Sequence, residues 1–349
     1  MIKYLYYKII SILLKKYKKQ LAECKILKNA CIKHSQLPLP QTSPWILFKY
    51  YYTKNMLDLN LGDYIQTIAT RKILEKYGIK KFIYCDRENL INCSKKAFVI
   101  MQGWFSHSIN FIPNKNICPI YIGAHFNYNM QQFLNKNLFL LKNFEIGCRD
   151  FYTLNYLQSK NIKSYFSRCL TLTLPKRIKT QQQNKIFLVN LNEEIIKYLP
   201  QDIRKNGICV NQKSIQGNYQ TFKDNWLQYQ KMADDLLDVY CNEAKLVITT
   251  ALHCASPCVA MGIPVILICE DSDQINRFSA LDGILKIYSL QDLYIDGIDF
   301  NPKSVDIELL KEYMFENLVL SIEKAQGGVL MKIACYLLEK KLLGLGFKG

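Results

Sequence analysis

Short apolar runs alternate with amphipathic stretches along most of this chain, a pattern typical of proteins that alternate strands with helices. In the first half, a helix is predicted from Asp63, a good N-cap residue, to Gly78, a good terminator. Strands are predicted over 81–85, 97–101 and 120–124, a helix over 150–158, and an alternating strand over 165–174. The first half therefore has the element order of an α/β domain.

A polar, glutamine-rich stretch from Pro175 to Asn184 is the best candidate for a linker. Beyond it, strands are predicted over 186–189, 208–210, 246–249 and 265–268, and helices over 193–199, 226–240 and 254–261. Alternation on both sides of a linker predicts two α/β domains facing a cleft, at residues 45–175 and 185–300. Residues 301–349 are predicted to form a helical C-terminal segment, from the apolar spacing between Asp306 and Leu343.

The first 44 residues are predicted to form a basic amphipathic helix and a Pro-rich connector that ends at Pro44. Apolar residues recur at helical spacing from Ile2 to Tyr17, with lysines between them. Lys8 interrupts the apolar run that a signal peptide needs, and no clear cleavage site follows. Two alternatives stay open for residues 1–20: peripheral contact with an anionic membrane, or packing against the helix's own domain.

The composition indicates a folded chain with an anionic partner. It has 349 residues, of which 49% are hydrophobic, and its formal net charge is +17. No nucleic-acid-binding motif accompanies the scattered lysines, so we expect no nucleic-acid partner. No apolar run is long enough to span a membrane, which predicts a cytoplasmic protein, with the inner face of the membrane as the alternative that residues 1–20 leave open.

The 13 cysteines are odd in number and scattered, which argues against a disulfide framework. Cys254 and Cys258 are spaced to share a helix face, but no further ligands follow at a similar spacing. We therefore expect reduced, mostly buried thiols and no bound metal.

Two polar junctions in the first half have residues suited to chemistry. At the first, Asn60 and Gly62 precede Asp63, and free amides at such a helix start can bind phosphate or carboxylate. Asp63 either caps the helix or binds and deprotonates a sugar hydroxyl. At the second, Arg149 before Asp150 either clamps an anion or braces a helix cap.

The second half has one such junction, after the predicted strand that ends at Thr249. His253 lies there, between Leu252 and the small residues Cys254 and Ala255. Ligands of parallel α/β sheets bind at such carboxyl ends of strands. His253 is either a buried core residue or a functional group, and this position favours the two about equally.

An ordered set of motifs resembles the polysaccharide pyruvyl transferase family over about residues 45–300. The motifs are Asn60-Leu-Gly-Asp63, Cys148-Arg-Asp150, Cys169 to Leu174, Leu236-Leu-x-x-Tyr240, Leu246 to Pro264, and Arg277 to Leu281. The Leu-His-Cys-x-x-Pro-x-x-Ala-x-Gly-x-Pro portion, which contains His253, is the most specific. The resemblance implies two Rossmann-like domains, as in the glycosyltransferase B type, with the active site between them.

The resemblance also implies a reaction: an enolpyruvyl-derived unit moves from phosphoenolpyruvate to a saccharide or lipid-linked glycan, with no cofactor. By matching motifs, His253 becomes the candidate acid and Asp63 the candidate base or orienting residue. The implied substrate-binding residues are Asn60, Gly62, Arg149, Arg168, Thr250, Leu252 and Arg277.

One position departs from the family pattern. Ala251 occupies the place where the family commonly has arginine, which removes one candidate ligand for an anion. Arg168 or Arg277 could restore the charge from another element. Two rival functions therefore stay open: glycosyl transfer from a nucleotide sugar, and saccharide binding without catalysis.

Overall fold

The computed structural model describes residues 2–32, 39–51, 58–213, 215–295 and 297–326; side chains are described for these ranges except at residues 2–10, 13, 17 and 272–274. The part of the predicted C-terminal helix beyond residue 326 and part of the Pro-rich connector lie outside these ranges. The strands are β1 Trp45–Lys49, β2 Asp58–Leu59, β3 Phe82–Asp86, β4 Ala97–Ile100, β5 Gly103–Phe105, β6 Ile117–Phe126, β7 Ile146–Cys148, β8 Ser164–Phe166, β9 Lys185–Val189, β10 Gly207–Val210, β11 Ile215–Gln216, β12 Ala244–Thr249, β13 Val265–Cys269 and β14 Ile287–Ser289.

Eleven α-helices connect and flank these strands in the described ranges. They are α1 Ile2–Asn29, α2 Leu61–Lys76, α3 Tyr128–Asn135, α4 Phe151–Ser159, α5 Glu193–Tyr198, α6 Gln201–Asn206, α7 Tyr219–Asp224, α8 Trp226–Glu243, α9 Leu252–Ala260, α10 Leu290–Tyr294 and α11 Glu308–Ala325. Short 3-10 segments occur at 87–92, 109–111, 138–140, 170–173 and 272–281.

Two parallel sheets confirm the predicted fold class. The first has the strand order β3-β1-β4-β6-β7-β8, with β5 paired to β6, and the second has the order β10-β9-β12-β13-β14. Every pairing within both sheets is parallel. Fully buried strands such as β4 and β13 are apolar throughout, because helices cover both faces of a parallel sheet.

The two halves share more than a linker. One hydrophobic cluster contains buried side chains of both, including Ile100 and Leu170 from the first half and Val247 and Cys254 from the second. Strand β2 of the first half pairs antiparallel with β11 of the second, forming a two-stranded ribbon between them. Next to that ribbon, the Leu61 amide donates to the Gln212 carbonyl at 2.8 Å.

Two local predictions were wrong. The helix α2 begins at Leu61, and its N-cap is Asn60, whose side-chain oxygen accepts from the Gly62 amide; Asp63 lies inside the first turn. The alternating stretch 165–174 continues β8 only to Phe166 and then forms a 3-10 turn over Leu170–Thr173. Alternation there reflects a segment buried between the two halves rather than a long strand.

Candidate active site

A cavity of about 260 Å³ lies between the two halves at the carboxyl ends of strands from both sheets. Its lining residues are Asn60, Trp104, Arg149, Gln212, Lys213, Thr250, Ala251, Leu252, His253, Arg277 and Phe278. No carboxylate lines this cavity within the described residues, whereas three cationic side chains do. The cavity therefore has the charge and size suited to a small anion.

The start of α2 approaches the cavity closely because residue 62 is glycine. A Cβ at this position would lie 2.9 Å from Asn60 Oδ1 and 3.0 Å from His253 Cβ. Both are shorter than ordinary contacts, so any side chain here would displace the cap or the imidazole. Gly62 thus lets the first turn of α2 pack directly against His253.

His253 lies in the first turn of α9, just beyond the end of β12. Its backbone, at φ −84° and ψ 16°, departs from the helix, which the chain continues from Cys254. The His253 Nε2 atom is 3.5 Å from Arg149 Nη1. Because a guanidinium has only N–H donors, this arrangement makes Nε2 an acceptor and leaves the proton of a neutral imidazole on Nδ1.

The electrostatic surroundings of His253 favour the same neutral form. Burial, followed by the positive charges of Arg149, Lys213 and Arg87, lowers the pKa of His253 to about 3, against an opposing contribution from Asp63. At pH 7 these surroundings therefore favour the neutral imidazole, which is a poor acid, over the imidazolium. An anion in the cavity would add the negative charge that this histidine lacks.

Asp63 lies behind the cavity wall rather than in it. Its side chain is 6% exposed, and its Oδ1 atom accepts from Gln66 Nε2 at 3.0 Å and faces Arg87 Nη1 at 3.3 Å. Arg87 is fully buried and also donates to Glu88. The predicted placement of Asp63 against the acceptor is thus corrected: ion pairing has drawn this carboxylate into the protein.

Arg149 and Asp150 follow β7 and are both buried. Arg149 donates from Nε to Asp150 Oδ2 at 3.2 Å and presents Nη1 to the cavity, and Asp150 also caps α4 through the Thr153 amide. Arg149 therefore braces the cap residue with its Nε edge and also lines the cavity, and anion binding by Arg149 stays a prediction.

Arg277 and Lys213 complete the cationic wall. The Arg277 guanidinium lies over the Trp104 ring, 4.5 Å from its centroid, which fixes a long side chain at the cavity. Burial, then the nearby charge of Arg149, lowers the pKa of Arg277. Loss of hydration lowers the pKa of Lys213 as well. Crowded positive charges of this kind indicate a site that is completed by an anion.

Arg168 is the predicted substrate-binding residue that the structure places elsewhere. Its Nη1 atom donates to the carbonyls of Ala280 and Asp282, both at 2.9 Å, and its guanidinium packs on the Phe166 ring. Its backbone has φ +61°, an uncommon value for a residue with a side chain. Arg168 therefore braces the first half against the second, and it does not restore the charge missing at Ala251.

Sequence reasoning missed four side chains of the wall: Trp104, Gln212, Lys213 and Phe278. Gln212 and Lys213 follow β10, so position after a strand was an available signal for these two. Trp104 lies inside the short strand β5, and Phe278 lies in the 3-10 segment over 272–281, where no such signal exists. Gln212 is fully buried, and neither polar atom of its amide has a hydrogen-bond partner among the described residues. An unsatisfied buried amide is costly, so a bound group or water at this wall is expected.

The other predicted residues are brought together. Asn60, Arg149, Thr250, Leu252, His253 and Arg277 all line the cavity, and Gly62 packs against His253. Ala251 is nearly fully buried and contributes no charge. The arrangement can bind an anion with three cations beside a neutral imidazole.

One comparison with known proteins covers most of the cavity residues. The sequence model of the polysaccharide pyruvyl transferase family matches residues 60–272, which contain the cavity residues from Asn60 to His253. A search of curated protein sequences gave no significant match. Among solved structures, an uncharacterized protein of Klebsiella pneumoniae is 16% identical, with 68% of this chain and 87% of that chain covered and a TM-score of 0.40.

Two further solved structures match with similarly low sequence identity and TM-score. The MnaA–UDP co-structure from S. aureus is 10% identical, covering 83% of this chain and 99% of that one, at a TM-score of 0.45. A putative UDP-N-acetylglucosamine 2-epimerase from Listeria monocytogenes is 9% identical, covering 83% and 100%, at a TM-score of 0.41.

Proposed function

The chain belongs to the polysaccharide pyruvyl transferase family, and we propose that it transfers the pyruvyl unit of phosphoenolpyruvate to two hydroxyls of a saccharide, forming a ketal. One observation carries this proposal: Arg149 contacts His253 inside a cavity lined by three cations and no described carboxylate. Phosphoenolpyruvate has a phosphate and a carboxylate next to a carbon that must be protonated. The cavity offers partners for all three.

The cations of the wall would divide the two anionic groups of the donor between them. Arg149 and Arg277 each present a planar guanidinium, which suits carboxylate and phosphate oxygens, and Lys213 adds a point charge. These fixed charges also stabilise the departing phosphate. Arg277 and Lys213 supply charge on the wall where Ala251 supplies none.

In this reaction the methylene carbon of phosphoenolpyruvate gains one proton, and the two saccharide hydroxyls each lose one. His253 donates a proton to the methylene carbon, which becomes the methyl group, and C2 becomes an oxocarbenium-like centre. A first sugar hydroxyl attacks C2, phosphate leaves with its bridging oxygen, and the second hydroxyl closes the ketal. One hydroxyl proton restores His253 and the other leaves on phosphate, so the step balances without a cofactor.

Asp63 and Gln212 have supporting roles in this proposal. Asp63, paired with Arg87 behind the imidazole, orients the start of α2 and opposes the loss of the proton from His253. The Gln212 amide has one donor group and one acceptor, which matches a hydroxyl better than an anion that offers acceptors only. We therefore place the saccharide, free or lipid-linked, on the Gln212 side.

Release of inorganic phosphate tests the proposed donor. The full chain with phosphoenolpyruvate and acceptor glycans is expected to release phosphate and to add a ketal to the glycan, detected by mass spectrometry. Release of a nucleotide from a nucleotide sugar would instead support glycosyl transfer. Glycan binding with no turnover of either donor would identify a non-catalytic relative, consistent with the loss of arginine at Ala251.

A lipid-linked acceptor would place the enzyme at a membrane, and α1 supports that location. Among the side chains of this helix that the structure describes, Ile26 near the C-terminal end is the only buried one, whereas Ile12, Leu14 and Leu21 are each more than half exposed. The predicted apolar face before residue 11 lies outside the described side chains. None of the helices in the described ranges has the length and hydropathy needed to cross a bilayer. We propose that α1 lies on an anionic lipid surface.

Co-sedimentation with vesicles tests the role of α1. The full chain is expected to bind phosphatidylglycerol vesicles, to bind phosphatidylcholine vesicles poorly, and to dissociate at high salt. Replacing Lys15, Lys16, Lys18 and Lys19 with glutamine removes about 1 kcal/mol per residue of attraction and should abolish binding. Lys95 and Lys96, replaced in the same way, provide the control. Unchanged binding after deletion of residues 1–20 would exclude this role.

A further inference from the structure

We propose that Asp150 is the positioning residue of the donor site, orienting Arg149 directly and Arg277 through His125 and Trp104. The nature of the donor rests on the proposed function, but the geometry does not. The sequence placed Asp150 only at a helix start and left His125 without a role.

The Asp150 carboxylate makes three hydrogen bonds or close polar contacts through its two oxygens, all inside the protein. Oδ1 accepts from the Thr153 amide at 3.0 Å and so caps α4. Oδ2 faces His125 Nδ1 at 2.6 Å and accepts from Arg149 Nε at 3.2 Å. The Thr153 hydroxyl is 3.3 Å from the same imidazole nitrogen. Capping uses only Oδ1, so Oδ2 is available for its contacts with His125 and Arg149.

The contact with Oδ2 determines which edge of the Arg149 guanidinium reaches the cavity. Its Nε edge is held by Asp150, so the Nη groups project to the other side, where Nη1 meets His253 at 3.5 Å. A guanidinium held at one edge loses little entropy when it binds an anion with the other. Asp150 thereby sets the position of the group that contacts both donor and acid.

The second connection runs through aromatic rings. His125 is buried and stacks on Tyr152, with centroids 5.6 Å apart, and it meets Trp104 edge to face at 6.0 Å. Trp104 also contacts the Arg277 guanidinium, which lies over its ring at 4.5 Å from the centroid. The hydrogen bond to Asp150 fixes the plane of the His125 ring, and that ring in turn supports Trp104 beneath Arg277.

The negative charge of Asp150 also contributes to the site. Burial alone would raise the pKa of Asp150, but His125, Arg149 and the Thr153 amide lower it to about 2. This carboxylate is therefore ionised throughout the physiological range. It compensates part of the repulsion between Arg149 and Arg277, which would otherwise separate the two guanidinium groups.

The variant Asp150→Asn separates positioning from capping, because asparagine caps helices as well as aspartate does. We expect it to fold and to bind phosphoenolpyruvate about 10- to 100-fold more weakly, the range typical of removing a group that orients a binding residue. Titration calorimetry measures this dissociation constant and the fraction of competent protein separately. Inorganic phosphate serves as a second probe, and Asp292→Asn, at the remote helix α10, is the control with the same charge change.

The outcomes distinguish the two proposals. A merely structural role would lower the competent fraction of Asp150→Asn and leave the dissociation constant unchanged, which would overturn positioning. Wild-type protein that binds phosphate but not phosphoenolpyruvate would overturn the proposed donor and leave positioning testable with phosphate. If Asp150→Asn does not fold, His125→Phe replaces it: the ring remains, the hydrogen bond is lost, and an unchanged affinity overturns the inference.

Discussion

Replacing His253 with asparagine is expected to lower the turnover of pyruvyl transfer about 100- to 10,000-fold, the contribution of a positioned general acid. Asparagine keeps a hydrogen-bonding group near Arg149 and fits beside Gly62, so the fold and the cavity should persist. Donor binding should also persist, because Arg149, Arg277 and Lys213 remain in the wall. The loss should therefore appear in kcat, measured by phosphate release at saturating donor.

His107→Asn is the matched control for this variant. His107 lies 6.1 Å from Trp104, measured between ring centroids, and is not among the cavity residues. The turnover of the His107→Asn variant should stay close to that of the wild type. If His253→Asn retains wild-type kcat while remaining folded, another group protonates the methylene carbon and the role assigned to His253 is wrong.

Donor binding is expected to take up a proton at pH 7. In the protein without a bound donor, burial and neighbouring cations lower the pKa of His253 to about 3, so the imidazole is neutral at pH 7. The charged groups that act on it are Arg149, Lys213, Arg87 and Asp63, three cations and one anion. Phosphoenolpyruvate adds several negative charges beside Arg149 and must raise this pKa. The donor thus supplies the charge that converts His253 into an acid.

The sign of the pH effect follows by linkage. The bound state holds more protons than the free state, so raising the pH weakens binding, about tenfold per pH unit between the free and bound pKa values. Calorimetry in buffers of different ionisation enthalpy measures the uptake directly. It is best done at pH 7 and above, where the phosphate group is already largely ionised. Proton uptake should vanish in His253→Asn, and a wild type without uptake would contradict substrate-assisted protonation.

The alternation of apolar runs and helices was sufficient to predict the fold class. Strands β9, β12 and β13 lie within one or two residues of their predicted bounds, because the buried part of each strand is a nearly continuous apolar run. Strand β1 was missed: it follows directly on a Pro-rich connector, which obscured its start. The error over 165–174 arose because a buried 3-10 turn and a strand bury side chains in similar patterns.

The site was predictable where chemistry coincides with a strand end. His253 was identified in this way, whereas Arg149 was identified before a predicted helix cap and Arg277 by its family motif; all three line the same cavity. Asp63 and Arg168 were misplaced because each has a buried partner far away in sequence: Arg87 for the first, and the carbonyls of Ala280 and Asp282 for the second. No local pattern reveals such pairs. The connection from Asp150 to Arg277 through two rings was hidden for the same reason.

The ribbon of β2 and β11 limits how natural or engineered recombination can rearrange such chains. The ribbon joins the halves immediately before Asn60 and just after Gln212, two residues of one cavity wall. A chimera that exchanges donor and acceptor specificities at the linker between residues 175 and 184 would separate these two strands into different parents. To transfer acceptor specificity between two such enzymes, β2 and β11 must therefore come from the same parent. The linear sequence does not suggest this requirement, because the linker lies between the two strands.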